Sequence, residues 1–220
     1  MDQVRLNALQ RRLESIYEVG LEHDVSDFLI TDRELARALD LSVDARETHE
    51  KLLVHQDGDD LNLALYLAEE VIDKLRNDDP MRSLHNENLV PFCLALEGVS
   101  HFVYLAWHAE RARSVTLMEM ELQAEVDKYI SIGALLTEQG QRYLEKPLRT
   151  WLFDQVEFDV RLNNEQLDRY RNANYYASKY CAWLANKYSE ERHRQEMLNE
   201  LRRFYRQTQT QKIRRIARTY

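Results

Sequence analysis

Leu6, Leu9, Leu13, Ile16 and Tyr17 fall on one face at helical spacing, so an amphipathic helix is expected over residues 3–19. "DFLIT" (27–31) is short and apolar enough for a strand. Thr31 with Glu34 three residues on reads as a capping box, and a short helix is expected to about Asp40. Between 50 and 67, two alternating or apolar runs flank Asp57-Gly58, a strong hairpin dipeptide. A helix over 68–77 should stop at Asp78-Asp79-Pro80.

From residue 86 onward the helical period takes over. Helices are expected near 87–111, 115–139, 147–160, 164–188 and 190–207. Thr116 with Glu119 caps the second, Asn163 or Asn164 the fourth and Ser189 the fifth. These elements predict an α+β fold, mostly α. A small antiparallel three-stranded sheet in the first third is followed by a bundle of about five helices. The expected organisation is an α/β portion over 1–85, a helical bundle over 86–207 and a basic tail over 208–220.

Composition sharpens this reading. Five Gly and three Pro in 220 residues imply long helices and short connections. The most apolar run, Leu89 to Trp107, carries Glu97, Ser100 and His101, so no transmembrane segment is expected. The N-terminus lacks the apolar segment of a secretory signal. Cys93 and Cys181 sit in apolar helical patterns and read as two buried thiols in a reducing cytoplasm.

The helix over 87–111 is apolar nearly all round, apart from one stripe of Glu97, His101, Tyr104 and His108 within about 60°. In the next helix Glu125 falls inside the apolar stripe and Glu121 at its edge. An antiparallel turn near Arg113 would bring His101 level with Glu125, and Tyr104 level with Glu121. Imidazole and carboxylate ligands suit a divalent metal such as Zn, Mn or Fe. In that reading Glu97, His101, His108 and Glu125 are ligands, and Tyr104 and Glu121 orient ligand or substrate. His101 and Glu125 would carry catalysis, and water activation makes a metal-dependent hydrolase the nominal class. Metal-free general-base catalysis by a carboxylate-oriented His101 is a second possibility. A buried hydrogen-bond network that fixes helix register, or a solvent-facing strip, is the structural alternative.

Sequence motifs narrow the choice only by exclusion. Carboxylate-bridged di-iron bundles use Glu-x-x-His, whereas Glu97 and His101 are one residue further apart. Glu190 and His193 match that spacing, but in a run charged enough for a solvated helix start. His-Glu-x-x-His, Gly-x-Ser-x-Gly, the glycine-rich phosphate loops and a complete calcium loop are all absent.

Charge is unevenly placed. The chain carries a net −8, yet no acidic residue follows Glu200, while Arg202, Arg203, Arg206, Lys212, Arg214, Arg215 and Arg218 do. Such a tail suits phosphate contacts to nucleic acid, or docking on an acidic partner protein, including a second copy of the chain. It also suits an anionic membrane surface or an ordinary cationic helix end. A non-enzymatic interaction protein working through this tail is therefore the rival functional reading. Tyr170, Ala173, Ala177, Tyr180, Cys181, Leu184 and Tyr188 share one helical face. They form an aromatic core seam or, with Asn174, a wall for a ring-bearing ligand.

Overall fold

The computed structural model describes residues 6–41, 48–58, 60–141 and 145–219. Residues 3–5, expected in the opening helix, and Tyr220 of the expected tail lie outside the described residues. The chain divides into two compact units. One comprises Met1–Glu14 and Gly20–Arg113, the other Ser15–Val19 and Ser114–Tyr220. The first unit thus runs on to Arg113.

α1 (Leu6–Tyr17), which belongs to the first unit as far as Glu14, buries Leu6, Leu9 and Leu13, the positions its periodicity marks. Gln10 pins the following segment: its amide donates to the His23 carbonyl at 2.8 Å and accepts from Val25 N–H at 2.7 Å. Asp24 caps a 3-10 turn at Val25–Phe28. β1 (Leu29–Ile30) follows, then α2 (Arg33–Leu39), capped by Asp32 accepting from Leu35 N–H. β2 (Glu50–Asp57) and β3 (Asp60–Leu67) form the expected hairpin, with Gly58 at φ +61° in the left-handed region that favours glycine.

The sheet has order β1-β3-β2, and β1 runs parallel to β3, with Leu29 opposite Leu65. It is thus mixed, not wholly antiparallel as the sequence suggests. A hairpin fixes the relative direction of its own two strands. The direction of β1, two residues long, depends on the route of the chain beyond it.

α3 (Glu69–Asn77) and α4 (Asn86–Ala109) complete this unit, with α4 packed on β2, β3 and α3. Gly98 allows the close approach: a Cβ there would lie 2.6 Å from the Leu65 side chain and 3.0 Å from Glu50 Oε1. Phe102 meets Phe28 with ring centroids 4.9 Å apart. α4 is the one described helix long and apolar enough to cross a membrane, and 67% of its most apolar window is buried.

The second unit holds α5 (Leu117–Glu138), α6 (Glu145–Arg149), α7 (Asn164–Lys187), α8 (Arg194–Tyr205) and α9 (Gln209–Ala217). Nine α-helices lie among the described residues. The region after the sheet departs from the expected five in two places. In place of one helix over 147–160, α6 passes into a π turn at Thr150–Asp154, closed by Gln155 N–H on the Thr150 carbonyl. The basic tail folds as α9, capped by Thr208 and Gln211 reciprocally, with Lys212 and Ile216 in the core.

Ala173, Ala177, Tyr180, Cys181 and Leu184 are the buried face of α7. Tyr180 stacks on Phe204 at 3.9 Å, and Tyr17 on Tyr205 at 4.1 Å. Burial pushes Tyr17, Tyr180 and Cys181 well above their ordinary pKa values, with Asp127 adding to the shift of Tyr17, Glu200 to that of Tyr180 and Glu125 to that of Cys181. The fold favours the protonated form of all three. Their contribution is therefore complete below the unfolded pKa values, about 8.5 for a thiol and about 10 for a phenol. It is lost as pH climbs through the raised values in the native state, by about 1.4 kcal/mol per pH unit for each group. Urea midpoints measured from pH 8 to 11 are expected to hold at first and then fall steeply. Tyr17→Phe should flatten the fall.

Candidate functional site

Glu97 and His101 lie one turn apart on α4 and present an oxygen and a ring nitrogen within 4.8 Å of each other. Their i, i+4 spacing explains this. His101 is 7% exposed. Glu50, the first residue of β2, approaches from the sheet, its Oε1 3.8 Å from His101 Nδ1. The missing side chain of Gly98 makes room for this carboxylate. Two carboxylates from different elements thus flank one largely buried imidazole. That separation exceeds hydrogen-bond length. It is close to the distance of about 3.4 Å between two ligands around an ion held at 2.0–2.2 Å.

The other stripe residues have different surroundings. Tyr104 is fully buried, and its ring meets the His108 ring edge-on at 4.5 Å. His108 also meets Trp107 edge-on, and the Arg113 guanidinium lies 2.8 Å from its Nδ1. A guanidinium at the imidazole nitrogens takes the lone pair a metal would need and adds a positive charge. His108 therefore keeps company with aromatic rings and a cation.

Glu121 and Glu125 belong to the second unit. Glu121 is buried, with Arg169 Nε 3.7 Å from its Oε1. Glu125 accepts from Lys128 at 2.5 Å.

Four of the seven tail cations hold the second unit together. Arg202 donates to the Ile16 carbonyl and pairs with Glu18, and Arg206 donates to the Tyr17 and Glu18 carbonyls. Lys212, wholly buried, donates to Gln123 at 2.7 Å, and Arg215 grips both oxygens of Glu200. Arg203, Arg214 and Arg218 are exposed. Asn174 donates to the Phe153 carbonyl, a structural bond within the same unit.

Glu50 is the site residue that sequence reasoning misses. It sits 51 positions from His101, and only the packing of β2 against α4 joins them. The sequence does not single it out, since Lys51, His55, Gln56 and Asp57 of the same strand are polar as well. No family model matches the chain, and no curated protein or solved structure matches it either.

Proposed function

We propose that the first unit carries a divalent-cation site on α4, with Glu97 and His101 as ligands and hydrolase-type water activation as its chemistry. The supporting observation is the flanking of buried His101 by Glu97 on its own helix and Glu50 on the sheet. Glu50, whose Oε1 lies 3.8 Å from Nδ1, at ligand-to-ligand spacing and beyond hydrogen-bond reach, would be the third ligand from the sheet side. Mixed nitrogen and oxygen ligands suit zinc, manganese or iron. A bound ion of this kind acidifies its water, and the neighbouring carboxylates are placed to receive the proton.

The test is a calorimetric titration of Zn²⁺ and Mn²⁺ into protein without a polyhistidine tag. Wild type should bind one ion saturably, and His101→Ala should lose that binding. Glu50→Gln should weaken it by at least about ten-fold, about 1.4 kcal/mol, because a charged ligand is replaced by a neutral amide. Identical titrations of all three proteins would contradict the reading. The rival interaction reading is left with exposed Arg203, Arg214 and Arg218 as its contacts.

A further inference from the structure

The second unit contains a solvent-open groove of about 490 Å³ where α5, α7 and α9 meet. One wall is a polar stripe on α7, and its members, Glu165, Arg169, Asn172 and Tyr176, recur every three or four residues and so share a face. Leu117 of α5 and Ile213 of α9 supply apolar surface in the same groove, and Leu117 is 59% exposed.

Two features of the polar stripe point to a ligand. Arg169 has only 17% of its side chain exposed, and its buried Nε has no hydrogen-bond partner among the described residues. A buried donor left unsatisfied costs roughly 1–3 kcal/mol. Arg169 forms an ion pair with Glu121, whose Oε1 is 3.7 Å from that Nε and beyond hydrogen-bond reach. Glu165 lies one turn before Arg169, at the spacing where Glu and Arg ordinarily pair on a helix. No ion pair between them is recorded among the described residues. The Glu165 carboxylate and the Arg169 guanidinium, itself paired with Glu121, thus line one groove as opposite charges about 6 Å apart along the helix axis.

We propose that this groove binds a small zwitterion with an apolar side chain, an α-amino acid or a dipeptide. The ligand's carboxylate meets the Arg169 fork, whose parallel donors match it. Its ammonium meets Glu165. Its side chain covers Leu117 and Ile213 and packs beside the Tyr176 ring, and the Asn172 amide can donate and accept. A simple anion would face Glu165 and the nearby Glu121 as well as Arg169, which is why a molecule bearing both charges fits better. The volume lies within the usual range for small-molecule sites, about 300–1,000 Å³. This inference is independent of Glu97 and His101.

The probes are L-leucine, L-leucyl-L-leucine, N-acetyl-L-leucine and L-leucinamide, each titrated into the full chain by NMR. L-leucine or the dipeptide should bind saturably, and whichever is tighter identifies the source. Blocking either the amine or the carboxylate should weaken binding by at least about ten-fold, a difference of about 1.4 kcal/mol. Arg169→Gln should abolish it. Glu165→Gln, at an exposed position that leaves the fold alone, should erase the preference for leucine over N-acetyl-leucine. Absence of saturable binding by both leucine and the dipeptide at millimolar concentration would overturn the proposal. So would binding that Glu165→Gln leaves with its amine preference intact.

Discussion

Lys212→Ala is expected to cost about 3–5 kcal/mol of stability, because it takes a buried charge out of the network that also holds the buried carboxylate of Asp127. Lys212 is wholly buried, its Nζ 2.7 Å from Gln123 Oε1 and 4.8 Å from the centre of the Phe204 ring. The Gln123 amide passes the connection on, donating to Asp127 at 2.8 Å and to the Tyr17 hydroxyl at 3.1 Å. The Tyr17 hydroxyl in turn donates to Asp127. The network therefore links a buried lysine to a buried aspartate through an amide, and a phenol ties it in. Removing the lysine takes a positive charge from the surroundings of Asp127, 1% exposed, in a medium that stabilises charge poorly. The double variant Asp127→Leu with Lys212→Met should recover more than half of the loss, since neutral apolar groups of similar size incur no such penalty. Urea unfolding of wild type, Lys212→Ala and the double variant measures this. A loss below about 1 kcal/mol for Lys212→Ala, the range of a surface ion pair, would show that the network is not closed in solution.

The second large effect is expected from Arg215→Met, at about 2–4 kcal/mol. Glu200 is 5% exposed, and both of its oxygens accept from Arg215, while Oε1 also accepts from the Tyr180 hydroxyl at 3.3 Å. The hydrogen bonds to Glu200 raise the Arg215 pKa, which is the same coupling seen from the cation. Met keeps the hydrophobic bulk and removes the charge and the fork, so the loss reports Glu200 left buried. Glu200→Gln should cost less, about 1–2 kcal/mol, because the amide oxygen still accepts and no charge is stranded. Equal losses for the two variants would mean that packing at Arg215, rather than its charge, is what matters. Both variants bear on the basic C-terminal segment: Arg215 and Lys212 act from inside the fold. A phosphate-binding arm would instead give variants that unfold like wild type.

What could be read from the sequence follows how local each interaction is. The β2–β3 hairpin is legible because its pairing is set by the residues beside Gly58. The helix starts at Thr116 and Asn163 are legible because a cap bonds to an amide three residues on. At α2 the side chain that caps is Asp32, one residue past Thr31, a shift local competition decides. The parallel direction of β1 is not legible, since two residues pair with a strand more than thirty positions away. α9 is hidden for a different reason. Its inward face includes Lys212, which reads as a solvent residue until Gln123 and Phe204 are seen around it.

The site divides along the same line. Glu97 and His101 are joined by helix geometry, so the sequence stripe finds them. Glu50 comes from another element and leaves no periodic trace. His108 shares the stripe but is captured by Arg113, beyond the end of the helix, which spacing alone does not reveal. For Glu125 the antiparallel-turn arithmetic weighs only helix heights. The Lys128 amine one turn along the same helix takes up its carboxylate first.

Elemental analysis of untagged protein, wild type beside His101→Ala, is the most direct measurement of the central claim. It predicts one equivalent of zinc, manganese or iron in wild type and none in the variant, with both proteins folded by circular dichroism. Wild-type protein without stoichiometric metal that also fails to take it up on dialysis against these ions would contradict it, as would metal retained in full by His101→Ala.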